Sequence, residues 1–176
     1  MNPLITKNKP VIKFLAIFLF SYVLLSLLYY LFLNSTNGLD FLTESVSKQT
    51  INLLNLIGYE TNSNTNSTSD FINLYVRGKN IAGISEGCNA ISIMILFLAF
   101  IFSFTKKIKS TVLFALLGLV IIHIINIVRI VILVVCLFHY PEYSEPLHNY
   151  IFPAMIYGVV FILWMIWVNS FQKIKK

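Results

Sequence analysis

The chain has 176 residues, 57% of them apolar and 11% charged, with a mean hydropathy of +0.80 and a formal net charge of +6. Soluble domains carry roughly 45–50% apolar and about 25% charged residues. That gap excludes a soluble cytosolic enzyme, a disordered chain and a secreted disulfide scaffold, and it implies an all-α integral membrane protein built as one domain, residues 1–176.

In chain order, Lys7, Lys9 and Lys13 lead into a first apolar run, residues 11–33. A spanning helix needs about 20 residues, so this run fits one. It is too long for a cleavable signal peptide, and no small-x-small cleavage site follows it. A polar loop, 34–87, comes next. Within it Phe41, Leu42, Val46, Leu53, Leu54 and Ile57 recur at roughly helical spacing, which predicts an extracytoplasmic amphipathic helix resting on the membrane interface. Residues 61–69, TNSNTNSTS, hold nothing to bury and read as a flexible linker. The alternation of Ile72, Leu74 and Val76, a turn at Gly78-Lys79, and a return through Ile81 and Ile84 predict a small β-hairpin leading into Cys88.

Three further spans are expected at 88–104, 112–138 and 151–168. The third span is long, roughly 40 Å at about 1.5 Å per residue, so it must tilt or protrude. Lys106, Lys107 and Lys109 separate the second span from the third, and Lys173, Lys175 and Lys176 follow the last. The acids Asp40, Glu44, Glu60, Asp70, Glu86, Glu142 and Glu145 all fall in the other two loops, 34–87 and 139–150. Basic residues mark the cytoplasmic side. Both termini are therefore expected on the cytoplasmic side of the membrane, with the acidic loops outside. The basic clusters read as topology and contact with anionic membrane lipids, not as a nucleic-acid site.

Ionisable groups within a span are expensive, about 2.5–3.5 kcal/mol for arginine on insertion scales, and commonly mark function. His123, Asn126 and Arg129 stand three apart in the third span and share one stripe of it. Each also has a plainer reading: packing for His123, an interhelical hydrogen bond for Asn126, and snorkelling for Arg129. Cys88 enters the second span from outside, where a helix N-terminus and a nearby arginine favour a thiolate. A cysteine in such a place is commonly structural, but this one has company. His148 precedes the last span, so a cysteine, an arginine and a histidine converge on the outer face from three segments. His139 sits at a helix end and reads as a spare. Cysteine with histidine is a nucleophile–base pair, and an arginine can hold an oxyanion. No metal-ligand spacing, cofactor motif or CxxC pair occurs.

At these residues the sequence resembles the exosortase/archaeosortase family, and most of all its short bacterial members. Three motifs carry the likeness across roughly 75–168: Gly87-Cys88-Asn89-Ala90-Ile91, then Asn126-Ile127-Val128-Arg129-Ile130, then His148-Asn149-Tyr150 before the last span. The common form of the first motif has Ser-Gly after the cysteine, whereas here it is Asn89-Ala90. The resemblance implies a membrane cysteine protease or transpeptidase, with Cys88 as nucleophile, His148 as general acid/base, Arg129 as electrostatic stabiliser and Asn126 in support. It implies substrate proteins ending in a short motif, one transmembrane helix and a basic tail. A lipid or glycan amine would be the acceptor in the transfer case.

Three rival readings remain open. One is a non-catalytic membrane subunit or assembly factor, with the polar stripe as helix glue. Another is a thiol–disulfide protein pairing Cys88 with Cys136, which needs Cα atoms within ~7 Å. The last is a small transporter subunit using Arg129, although no Gly/Pro-broken pair of spans supports it.

Overall fold

The computed structural model describes residues 8–35, 40–64, 71–104 and 107–172. The expectations placed on Lys7, Lys106, Lys173, Lys175, Lys176, Asp70 and residues 65–69 of the linker lie outside the described residues. The chain is mostly helical. Helix α1 spans Lys9–Ser35, with Pro10 in its first turn, where a missing N–H costs nothing. It packs along the helix Ile91–Ser103, and the Phe14 ring meets those of Phe100 and Phe104.

Helix α2 spans Phe41–Leu56 and starts on a buried N-cap, Asp40, whose Oδ1 accepts from the N–H groups of Leu42 (2.8 Å) and Thr43 (3.0 Å). Its Oδ2 accepts from the Thr43 hydroxyl at 2.5 Å. This helix does not rest its whole apolar face on a membrane surface. Val46 and Leu54 pack against the long helix Ile108–His139 and against residues 74–84, while Phe41 and Leu56 are left 73% and 83% exposed.

Strands β1 (Thr61–Asn64), β2 (Phe71–Val76) and β3 (Lys79–Ser85) form an antiparallel sheet in that order. Two expectations change here. The start of the linker is a strand, with Thr61 buried and its N–H bonded to the Asn55 side chain. The β2–β3 turn is Arg77-Gly78, one residue earlier than predicted, with φ positive at both, as two-residue hairpin turns require. Glycine takes this conformation freely. Arg77 does not, and its guanidinium lies 5.9 Å from the Phe138 ring centroid.

After a short 3₁₀ turn, Glu86–Cys88, come α3 (Ile91–Ser103) and α4 (Ile108–His139). Two brief helical turns and a π-helical turn, Leu147–Ile151, then lead into α5 (Phe152–Gln172). Lys9–Ser35, Ile108–His139 and Pro141–Ser170 are long and apolar enough to cross a membrane. The expected span at 88–104 is a helix of only 13 residues, about 20 Å against a hydrocarbon core of about 30 Å. Its ends explain this: Ala90 is left-handed at φ 61, and Phe104 is extended.

Helix α4 joins two clusters because its 32 residues, about 48 Å of helix, outrun the other bundle helices. Ala115 and Ile122 pack with Phe97, Ile156, Val160 and Trp167 among the bundle helices. Gly118 permits this, since a Cβ there would overlap the Phe97 ring. Ile127, Ile130, Val131 and Val134 instead pack with Val46 and Leu54 of α2 and with Leu74, Val76 and Ile84 of the sheet. The far end of α4 is thus the stalk of a small α/β layer.

Candidate active site

The site lies where the two clusters meet. Ser85 ends β3, and the next three residues wind into the 3₁₀ turn that closes on Cys88. Cys88 is half-buried, and its Sγ lies 4.0 Å from the Ser85 hydroxyl. Because α3 begins at Ile91, the thiol stands ahead of the helix and not in its first turn. The helix-terminal placement expected for Cys88 is therefore corrected. The first N–H of α3 is taken by Asn89 Oδ1 at 2.9 Å, and the cation that shares the thiol's cavity is Arg129.

Asn126 is fully buried on α4 and donates from Nδ2 to the Cys88 carbonyl at 2.8 Å. Arg129 lies three residues further along α4, half-buried, with no carboxylate among the described residues in ion-pair range. His148 is exposed in the π-helical turn before α5. Cys88, Arg129 and His148 line one cavity of about 250 Å³, walled by β3 on one side and by Leu133, Phe152 and Pro153 on the other. The three residues singled out from the sequence therefore share a site. An acyl carbonyl placed there would have a sulfur nucleophile, a fixed cation and a proton carrier around it.

The other polar candidates go elsewhere. His123 hydrogen-bonds Gln49 of α2 at 2.8 Å, which makes it a helix-packing residue. His139 bonds the Tyr59 hydroxyl at 2.9 Å, away from the cavity. Cys136 is a free thiol on a separate cavity with Tyr140, Tyr143 and Leu147.

Sequence reasoning missed the anchor beneath the cysteine. Asn89 is buried, and its Nδ2 donates to the Tyr29 hydroxyl of α1 at 2.8 Å and to Thr43 Oγ1 of α2 at 3.2 Å. Thr43 in turn donates to Asp40. Three helix ends are therefore pinned to the residue after the cysteine. Asp40 was findable as an N-cap before a periodic apolar segment; the reach of Asn89 to Tyr29 had no local signal. Ala90 takes the left-handed conformation where the resembled motif commonly has glycine. No group of three or more potential metal ligands occurs among the described residues.

Compared with known proteins, residues 8–170 match a family model described as transmembrane exosortase. No curated protein matches the chain, and no solved structure does.

Proposed function

The chain belongs to the transmembrane exosortase family, and on that premise we propose that it is a cysteine-dependent membrane peptidase or transpeptidase acting on the C-terminal sorting signals of exported proteins. The observation that carries the reading is the common cavity of Cys88, Arg129 and His148. The substrate's transmembrane helix docks beside the bundle and its outer motif enters the cavity. Cys88 gives its thiol proton to His148 as Sγ attacks the scissile carbonyl carbon, and the Arg129 guanidinium stabilises the oxyanion. As the carbon–nitrogen bond breaks, His148 gives a proton to the leaving amine, leaving a thioester on Cys88. Water hydrolyses it, or a lipid or glycan amine takes the acyl group, and the thiol is restored.

The proposed setting is a bacterial cytoplasmic membrane, both chain ends inside and the cavity at the outer boundary. The length of α4 supports this: about 30 Å of it fills a bilayer core and the remainder carries the α/β layer outside. Four crossings place the ends on one side, with the short α3 crossing where the bilayer thins.

The test is to replace Cys88 with Ala in the native host and compare the C-termini of exported proteins. Proteins retaining a motif, one transmembrane helix and a basic tail should accumulate uncut, with the variant still in the membrane. Unchanged C-termini would remove Cys88 as nucleophile and bring forward the non-catalytic subunit. A membrane-impermeant maleimide should label Cys88 on spheroplasts; labelling only from the cytoplasmic side would overturn the topology.

A further inference from the structure

We propose that the outward margin of β3, at Gly83 and Ser85, binds an extended segment of the substrate polypeptide as an added strand and so delivers the scissile bond to Cys88. The inference rests on the peptidase reading above and adds how the substrate is held. The sheet order leaves β3 at one margin, and no strand among the described residues pairs with its outer side. The direction of its backbone groups follows from the register. The Arg77 N–H bonds the Glu60 carbonyl at 2.8 Å, on the β1 side. Backbone groups alternate in direction along a strand, so Asn73 and Tyr75 address β1, and Ile72 and Leu74 address β3. Ile72 and Leu74 pair with Ile84 and Ala82. Ile84 and Ala82 therefore turn toward β2, and Gly83 and Ser85 turn their N–H and C=O groups outward.

Both outward residues are exposed, and both line the cavity of Cys88, Arg129 and His148. An open strand margin is a template for another chain, and natural proteins blunt such margins with charge or proline. The stretch 82–85, Ala-Gly-Ile-Ser, has neither. The Phe71 ring of β2 lies 3.3 Å from where a Gly83 Cβ would stand, so that face of the strand is covered and the approach left to a second chain is along the margin. The cavity volume of about 250 Å³ falls below the ~300–1,000 Å³ of small-molecule sites and suits a narrow length of main chain. Ser85 Oγ lies 4.0 Å from Cys88 Sγ, so a strand paired along Ser85 runs past the sulfur. The occupant must be extended, because a helix has already paired its own N–H and C=O groups. The segment held is thus the non-helical stretch outside the substrate's membrane helix, recognised through its main chain.

The experiment uses the full chain in detergent and reads labelling of Cys88, which needs no turnover. An acetyl-trialanyl vinyl sulfone is compared with its depsipeptide, in which an ester oxygen replaces one amide N–H, and with N-ethylmaleimide as the measure of thiol access. Strand addition predicts that the peptide labels Cys88 about three- to tenfold faster than the depsipeptide for each hydrogen bond lost. Gly83→Pro, which removes an outward N–H, should erase that advantage, while Gly83→Ala, which sets the same Cβ against Phe71 but keeps the N–H, should preserve it. Equal rates for peptide and depsipeptide in the unaltered protein, with Cys88 open to maleimide, would overturn the strand and leave the peptidase reading standing. That reading fails separately, if exported C-termini are unchanged in Cys88→Ala.

Discussion

The Asn126 side chain holds the Cys88 carbonyl from 38 residues away, its Nδ2 donating at 2.8 Å from within α4. The bond fixes the 3₁₀ turn against the same helix that carries Arg129 one turn later. Sulfur and guanidinium are thereby referred to one rigid element.

Replacing Asn126 with Leu should loosen that reference. A partly buried carbonyl losing its donor costs about 1 kcal/mol. The expected outcome is a lowered unfolding temperature in detergent and an altered rate of Cys88 labelling by maleimide. A shift in stability with an unchanged labelling rate would show that Asn126 glues helices without positioning the cysteine.

His148 and His139 should separate cleanly. His148 is exposed, so His148→Ala should leave stability within about 0.5 kcal/mol and abolish processing. His139→Ala loses the Tyr59 bond, about 1 kcal/mol, and should retain processing. Arg129→Ala should slow processing about 10²- to 10³-fold, the cost of one lost oxyanion partner, with Arg129→Lys recovering part of the rate. Matched processing in the two histidine variants would move the proton carrier elsewhere.

Asn89 should prove the larger structural residue. Asn89→Ala removes the Ile91 cap and the bonds to Tyr29 and Thr43 together, a loss of about 2–4 kcal/mol at roughly 1 kcal/mol each plus the groups left buried. Tyr29→Phe should cost about 1 kcal/mol. A double-mutant cycle between the two, read from unfolding in detergent, should give a coupling of about 0.5–1.5 kcal/mol; additive losses would mean that the Tyr29–Asn89 bond contributes nothing.

At Ala90 two effects nearly cancel. The left-handed backbone strains a residue with a Cβ by about 1 kcal/mol relative to glycine. The Ala90 methyl is buried in the bundle cluster and contributes about 0.8 kcal/mol. Ala90→Gly should therefore be nearly neutral, whereas Ala90→Val, β-branched at positive φ, should destabilise by more than about 2 kcal/mol. Unfolding of both variants measures the difference.

Much of the molecule is legible in the chain. Hydropathy marks the long helices, because apolar length is a property of consecutive residues. The common cavity of Cys88, Arg129 and His148 is foreshadowed by the order of the apolar runs, since each residue stands in or beside a different one. The stretch at 61–64 misleads for a physical reason: Thr-Asn-Ser-Asn has no apolar pattern of its own, and it becomes a strand because β2 offers a ladder and Asn55 captures the Thr61 N–H. The second span was overestimated because hydropathy does not register the backbone reversal at Ala90.

By itself, then, the sequence determined an apolar, mostly helical membrane chain that carries a cysteine, an arginine and a histidine in a fixed order. Only the tertiary structure decided that Cys88 sits on a turn ahead of its helix, that the far part of α4 is the stalk of an α/β layer, and that Asn89 ties α1, α2 and α3 together. The division has one cause. Periodicity and hydropathy are local sums, whereas the bonds that set this site join groups 38, 46 and 60 residues apart, and they form only once packing has removed the water that would otherwise satisfy them.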